Sequence, residues 1–259
     1  MSVLYITTFN KKLYDMSGKN FIDTFLQYIK NGTLLICYEE FEFYHESDRI
    51  ISYNIENDKY MNDWITKNKI RIPKMYGGEA DEDAPFFGKT LETQYWANHR
   101  ASRFFRKIVA LHYGLLHYAD KYDYIFVVDS DCIFKSNVTS NLINDLFKDN
   151  VAMTFFWGKH RRKINRGPET GFTGYSKKNN GFVFANVICD CYQNQDFLRF
   201  QYWDDGYVIG QLINENDSNF KFNDLAKHSN RRTTRVMEIE NQPLFNIIHH
   251  FKNKHQTSV

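Results

Sequence analysis

The chain has few of the residues and patterns that mark several protein classes. Its four cysteines, Cys37, Cys132, Cys189 and Cys191, form neither a disulfide framework nor a repeated Cys-x-x-Cys zinc pattern. Thirteen glycines and four prolines exclude a collagen-like or low-complexity chain. No apolar run approaches about 18 residues, and the N-terminus lacks a secretory leader pattern. We therefore expect a cytoplasmic protein without a transmembrane segment, for which peripheral membrane contact stays open.

The chain also lacks a strong charge of either sign. Lys and Arg total 33 against 31 Asp and Glu, so the net charge is +2 at pH 7. A protein built to coat nucleic acid would be far more basic, and we expect no nucleic-acid partner. Hydrophobic residues at 42% and charged residues at 25% are typical of a soluble globular chain. The 17% of aromatic residues suits a dense core and ring-lined clefts.

The pattern of apolar residues predicts alternating strands and helices. A strand over 3–8, a helix over 21–29 and a strand over 33–38 give a β-α-β opening. We expect further helices over 58–69, 92–119, 140–147 and 206–214, strands over 123–128 and 151–157, and extended pieces around 171–175 and 181–185. We also expect a loop over 77–88 that could act as a lid, and a basic loop over 159–166. Because no repeat or flexible linker occurs, we expect one domain over 1–259.

The most informative segment is YDYIFVV, which ends in Asp129-Ser130-Asp131. A continuous apolar run of this kind is typical of a central parallel strand, and ligands of open α/β sheets bind beyond the carboxyl ends of such strands. Two carboxylates one residue apart can hold a divalent cation and leave positions open for phosphate oxygens. The alternative is that either acid caps the following helix or lies in a solvated loop.

These residues resemble the core of the GT-A glycosyltransferases. The likeness extends to GPETGFTGYSKKN (167–179), WDDGYVIGQL (203–212) and the C-terminal IIHHFKNK, whose counterpart in retaining members holds a metal-binding His and a diphosphate-binding Lys. The resemblance implies an α/β fold with a single GT-A domain, a Rossmann-like, mostly parallel central sheet and flanking helices. It also implies a nucleotide-sugar-binding half over 1–131 and an acceptor-binding half with a metal-binding tail over 132–259.

The same resemblance implies the ligands and the metal shell. The cofactors are Mn²⁺ (or Mg²⁺) and a nucleotide-sugar donor, with UDP as the expected carrier, and the acceptor is a glycan or glycolipid. Asp129, Ser130 and Asp131 bind metal and diphosphate, His249 or His250 completes the metal shell, and Lys252 contacts the diphosphate. The tail favours retention of the sugar's configuration.

Further candidates come from the neighbouring segments. Arg103 and Lys107 are four residues apart on one helix face, so both side chains can reach phosphates, unless that face is only solvated. For the carboxylate that acts on the acceptor or the sugar, we consider Glu169, predicted in a loop, together with Asp204 and Asp205. Asp205 has a structural alternative as the cap of the helix near 206.

The first strand predicts the place of the nucleotide base. Thr7, Thr8, Phe9 and Tyr14 follow or end this strand, where bases rest in doubly wound folds, and Tyr14 could stack on a pyrimidine. No Gly-x-Gly-x-x-Gly or Gly-Lys-Ser/Thr pattern occurs, which argues against a dinucleotide cofactor and against a P-loop.

Three rival functions remain open. A metal-dependent nucleotidyltransferase or phosphatase would use Asp129 and Asp131 for two-metal chemistry. A nucleic-acid-binding protein would use the basic loop over 159–166 and the arginines at 231, 232 and 235. A structural protein of the same fold would have no activity.

Overall fold

A computed structural model describes residues 1–68, 101–229, 237 and 244–250 of the chain. The strands, in chain order, are β1 (Val3–Asn10), β2 (Thr33–Glu39), β3 (Ile50–Asn54), β4 (Tyr124–Val128), β5 (Cys132–Phe134), β6 (Met153–Phe156), β7 (Glu169–Ser176), β8 (Phe222–Asp224) and β9 (Ile248–His250). The helices are α1 (Lys11–Leu13), α2 (Lys19–Tyr28), α3 (Lys59–Asn68), α4 (Ala101–Tyr118), α5 (Ser140–Leu146), α6 (Gly158–Lys163), α7 (Gly181–Gln193) and α8 (Asp205–Glu215).

Seven of these strands form one sheet in the order β3-β2-β1-β4-β7-β6-β8. The neighbours from β3 to β4 are parallel, and so are β6 and β8, whereas β7 runs antiparallel to both β4 and β6. All strands of this sheet except β7 therefore point the same way. This mostly parallel sheet with flanking helices confirms the predicted α/β fold class and is consistent with a GT-A fold.

Helices cover both faces of the sheet because its central strands are apolar on both sides. Along β1, Leu4 and Ile6 belong to the core on the α4 side, whereas Val3 and Tyr5 belong to the core on the α2 side. Successive side chains of a strand point to opposite faces, so a continuous apolar run fits only a strand covered twice. The run YIFVV of β4 is buried in the same way next to β1 and directs its carboxyl end, with the acids, toward one edge of the sheet.

The structure confirms most of the predicted elements within its described ranges. The helix predicted over 92–119 is present as α4, with its first residues, 92–100, outside the described ranges, as is the predicted lid over 77–88. β3 lies in a segment for which no strand was predicted. No described helix combines the length and the hydropathy that crossing a bilayer requires.

Two predicted elements are wrong. The piece around 181–185 is the start of α7 and not extended, because Asn180 adopts a left-handed backbone (φ 61°) and the apolar run after it buries one helical face. The basic loop over 159–166 begins as α6, because Arg161 is buried and donates hydrogen bonds to the carbonyl oxygens of Gly167 and Pro168. These bonds fasten the helix to the chain that enters β7.

A small second sheet brings the C-terminal segment to the carboxyl end of β4. β5 pairs with β9 in antiparallel register, with Cys132 opposite His250 and Phe134 opposite Ile248. The Lys135 amide donates a further bond to the Ile247 carbonyl oxygen at 2.8 Å. Residues more than 110 positions apart in sequence are therefore held side by side.

Close backbone contact between Gly167 and Gly206 holds the start of β7 against the start of α8. A Cβ on Gly167 would lie 1.8 Å from the Gly206 carbonyl oxygen and 2.5 Å from the Tyr207 amide nitrogen. Because these atoms belong to backbone, they cannot move aside as a side chain can. The two segments carry the acids described below.

We predict that Gly167→Ala lowers the free energy of unfolding by about 2 kcal/mol or more, through backbone displacement. Gly114→Ala is the matched control. A Cβ on Gly114 would lie 2.5 Å from Ile6 Cδ1, the movable end of a side chain, and alanine gains about 1 kcal/mol of helix propensity there. Denaturant unfolding should separate the two variants, and equal stabilities would contradict the prediction.

Candidate active site

Two carboxylates lie in the tight turn between β4 and β5. The Asp129 amide donates to the Gly171 carbonyl oxygen at 2.9 Å, and the Asp129 carbonyl oxygen accepts from the Cys132 amide at 3.0 Å. The side chains of Asp129 and Asp131 are 27% and 33% exposed, whereas Ser130 between them is buried. The turn thus presents two fixed carboxylates that solvent or a ligand can reach.

His250 lies directly beside this pair of acids. Its Nε2 is 3.0 Å from Asp131 Oδ1 and 3.8 Å from Asp129 Oδ2, and the residue is 2% exposed. His249 pairs with Ile133 and is half-buried. Because side chains alternate along a strand, the two histidines point to opposite faces of β9, and His250 is the one that contacts the acids.

Lys107 on α4 connects the acids of β4 to the start of α8. Its Nζ lies 2.6 Å from Asp129 Oδ1 and 2.9 Å from Asp205 Oδ2, and it donates to the Thr170 carbonyl oxygen at 3.1 Å. Arg103, one turn earlier, is exposed. The predicted pair on one helix face is thus divided: the lysine lies inside the cluster and the arginine at the surface.

The two acids before α8 have different surroundings. Asp204 is the N-cap of α8 and accepts a hydrogen bond from the Tyr207 amide at 3.0 Å, so the structural alternative for Asp205, a cap role, is wrong by one residue. The reason is that α8 begins at Asp205. Asp205 is 3% exposed, and its side chain points inward to Lys107.

Glu169 is the first residue of β7, so its predicted place in a loop is wrong. The strand begins there because Phe156 of β6 pairs with Glu169, and the residue is 2% exposed. Its Oε1 lies 3.3 Å from His250 Nδ1, and its Oε2 accepts a hydrogen bond from the Met237 amide at 3.1 Å. The structure therefore brings Glu169 to the far side of the histidine ring.

Burial and charge pairing shift the pKa values of this cluster. Burial alone would lower the pKa of His250, but Asp131 and Glu169 raise it to about 9. Burial and the neighbouring Asp131 raise the pKa of Asp129, although Lys107 counteracts the rise. Burial would lower the pKa of Lys107, yet Asp129 and Asp205 hold it above its usual value. The acids thus share two cationic partners.

Three neighbouring side chains could hold a metal ion. One ligand atom from each of Asp131, Cys132 and His250 lies within 4.8 Å of the others. Cys132 Sγ is 3.5 Å from the Gly171 carbonyl oxygen, to which the thiol donates, and burial and Asp131 raise the pKa of that thiol. This leaves Asp131 and His250 of the group, and Asp129, whose Oδ2 lies 3.8 Å from His250 Nε2, is the further candidate donor. Together they would offer carboxylate oxygens and one imidazole nitrogen.

The residues predicted to hold the base lie at the carboxyl end of β1. Thr7 is buried, and its Oγ1 has no hydrogen-bond partner among the described residues, whereas Thr8 is half-buried. Phe9 is buried, with its ring centroid 5.4 Å from that of Tyr14, and Tyr14 also packs on Phe41 at 5.4 Å. Phe9 therefore supports the half-buried ring of Tyr14 and does not itself face solvent.

The basic residues at 159–166 have structural contacts. In addition to the buried Arg161, Arg162 pairs with Asp224 at 3.2 Å, and its guanidinium lies 3.7 Å from the centroid of the Trp157 ring. Two of the charges proposed for nucleic-acid contact thus hold α6 in place. Lys252 and the arginines at 231, 232 and 235 lie outside the described residues.

Three further residues of the cluster were not among the predicted site residues. Thr170 offers its carbonyl oxygen to Lys107, Gly171 leaves room for the His250 ring, and Cys132 lies next to both acids. A signal was present for Thr170 and Gly171, since the segment 167–179 was singled out as a whole. Their roles depend on backbone position, which side-chain type does not reveal.

Comparison with known proteins finds solved structures that are similar in fold. Neither a family model nor a curated protein matches the sequence. Among solved structures, the fold is similar to the apo form of mouse xyloside xylosyltransferase 1, at 10% identity over 87% of this chain and 85% of that chain, with a TM-score of 0.48. We therefore take the function from the geometry of the site.

We predict that Asp204→Asn stabilises the protein at neutral pH. Burial and Asp205 raise the pKa of Asp204 to about 6, above its value of about 4 in an unfolded chain. In the wild type this acid therefore lowers stability as the pH rises from about 4 through 6, and the penalty is complete above that range. Asparagine keeps the cap without the charge. The substitution should therefore raise the free energy of unfolding by about 1 to 2 kcal/mol at pH 7.5 and change it little at pH 4.

The measurement is the free energy of unfolding as a function of pH. Asp204→Ala is the control, because it removes the cap as well as the charge and forfeits about 1 kcal/mol of that gain. A pH-independent difference between wild type and Asp204→Asn would contradict the assigned ionisation.

Proposed function

We propose that the protein is a metal-dependent glycosyltransferase that moves a sugar from a nucleotide diphosphate donor, with UDP as the expected nucleotide, to a glycan acceptor. The observation that carries the proposal is the convergence of Asp129, Asp131 and His250 at the carboxyl end of β4. The sequence and its family resemblance predicted Asp129 and Asp131 as metal ligands together with His249 or His250, and the two segments are almost 120 residues apart. Such a convergence is unusual for acids that are only exposed to solvent on a turn.

The donor set fits Mn²⁺ or Mg²⁺ better than a structural zinc. Asp129 and Asp131 supply carboxylate oxygens, and His250 supplies Nε2, while the neighbouring Cys132 thiol donates to a carbonyl oxygen. Structural zinc sites are closed tetrahedral shells rich in thiolate, whereas hard cations keep open positions for water and phosphate oxygens. The partial exposure of both carboxylates leaves room for such ligands.

The bound metal would supply Lewis-acid stabilisation of the diphosphate leaving group. The chain's own residues prepare the site for this chemistry. Lys107 holds Asp129 in place and neutralises the charge of Asp205, two acids that would otherwise repel an anionic donor. Asp204, whose pKa burial and Asp205 raise to about 6, is suited to receive a proton from an acceptor hydroxyl.

The rival functions are separated by their products. Sugar transfer and donor hydrolysis both release an intact nucleoside diphosphate, whereas a nucleotidyltransferase or phosphatase cleaves a phosphoanhydride or phosphoester bond. A nucleic-acid-binding protein would need no divalent ion and would lose affinity steeply with salt. The structural contacts of Arg161 and Arg162 reduce the charge available for that third function.

We predict that Asp131→Asn lowers kcat/KM for sugar transfer at least a hundredfold while the fold is retained. The amide keeps the shape of the side chain but removes the charge that holds the metal. A panel of nucleotide sugars, assayed with and without Mn²⁺ for nucleoside diphosphate release, first identifies the donor and then provides the assay for the variant.

The matched control is Asp120→Asn, which removes a carboxylate from a fully exposed position in the turn after α4. It should leave kcat/KM within about twofold. Full activity of Asp131→Asn with Mn²⁺ present, or activity of the wild type that is indifferent to chelator, would contradict the proposed function.

A further inference from the structure

Glu169 is fixed by contacts to the C-terminal part of the chain on each of its oxygens. Oε1 lies 3.3 Å from His250 Nδ1, and Oε2 accepts the Met237 amide at 3.1 Å. The residue is 2% exposed, at the start of a strand in the central sheet. A carboxylate so enclosed has little access to an acceptor hydroxyl, and its geometry points to a role toward the histidine.

The His250 ring lies between Glu169 and the pair of acids. Its Nδ1 faces Glu169, and its Nε2 faces Asp131 at 3.0 Å and Asp129 at 3.8 Å. A neutral imidazole carries one N–H, and the hydrogen bond made by one nitrogen decides which nitrogen is free to bind a metal. If Nδ1–H is donated to Glu169, the lone pair of Nε2 points toward the two acids.

The backbone around the ring supports this single orientation. A Cβ on Gly171 would lie 2.8 Å from His250 Cε1 and 2.9 Å from Nδ1, so the ring packs directly against a glycine. His250 is also opposite Cys132 in the pairing of β5 with β9, which fixes its backbone next to the acids. Glu169 and Gly171 are two residues apart on β7, and both lie against the His250 ring.

We propose that Glu169 is a positioning residue that holds His250 as the Nδ1–H tautomer, with Nε2 directed at the metal position between Asp129 and Asp131. The inference rests on the proposed function, because it assumes that this position binds a divalent cation. It replaces the expectation that Glu169 acts on the acceptor or the sugar. Partners of this kind behind a metal-binding histidine typically contribute tenfold to a hundredfold to metal affinity.

The first test is calorimetric titration of the apo protein with Mn²⁺ alone, without nucleotide or acceptor. Glu169→Gln should weaken Mn²⁺ binding at least tenfold, because the amide has one acceptor oxygen for two N–H groups, those of His250 and Met237. Ser176→Ala is the matched control on the same strand. The Ser176 hydroxyl is buried without a hydrogen-bond partner among the described residues, so its removal should change the affinity less than twofold.

The second test reads the tautomer directly and needs no variant. Nitrogen-15 NMR of the Mg²⁺-loaded wild type should show His250 protonated at Nδ1 and not at Nε2. A His250→Ala spectrum assigns the resonance. Protonation at Nε2 in the loaded wild type would overturn the inference even if Glu169→Gln failed to fold.

The outcomes distinguish this inference from the proposed function. Wild-type Mn²⁺ binding with a Glu169→Gln affinity within threefold would overturn the role of Glu169 and leave the metal-dependent function standing. Absence of Mn²⁺ binding by the wild type would overturn both. Tenfold weaker binding by Glu169→Gln, with the Nδ1–H tautomer in the wild type, is the result we expect.

Discussion

The pairing of β5 with β9 is the interaction on which the candidate site depends. It places His250 opposite Cys132, one residue after the acids of the β4 turn, and so brings a C-terminal side chain to the carboxyl end of a central strand. Without this short antiparallel contact, the site would lose His250 and keep the two carboxylates of the turn with Lys107. The central sheet fixes the acids, and the second sheet completes the cluster.

The cluster holds several neighbouring acids, and its own cationic residues balance part of their charge. Asp129, Asp131, Asp205 and Glu169 all lie next to Lys107 or His250. Asp205 and Glu169 are buried, whereas Asp129 and Asp131 are partly exposed, and crowding of acids with partial burial raises the free energy of the charged forms. Lys107 and His250 offset part of that charge in the contacts that the described residues make. A divalent cation beside Asp131 would balance the remaining negative charge. Metal binding and the ionisation of these acids are therefore coupled.

Much of the fold could be predicted because hydrophobic periodicity is local. The run before Asp129 predicted a strand covered on both faces, and the spacing of Phe104, Ile108, Leu111 and Leu115 predicted a helix with one buried face. Within that helix the buried ring is Phe105, and Phe104 is half-buried. The start of α7 was mistaken for extended structure, because a short apolar run after Gly181 has no period that excludes a strand. Its helical state depends on the left-handed Asn180 before it.

The finer geometry of the site could not be predicted, because it depends on register between distant segments. The choice between His249 and His250 follows from which residue stands opposite Cys132, and a shift by one residue would exchange them. The cap of α8 also depends on one residue, because the helix begins at Asp205 and not at 206 as predicted, which makes Asp204 the cap. Glu169 was read as a loop acid since its strand partner, Phe156, lies across a sheet.

The most direct test of the account is a crystal of the protein grown with Mn²⁺ and UDP, examined by anomalous scattering at the manganese edge. We expect one strong peak in coordination contact with carboxylate oxygens of Asp129 and Asp131 and with Nε2 of His250, and with UDP phosphate oxygens at the remaining positions. A peak elsewhere on the protein, or density for UDP without metal between these three residues, would contradict it.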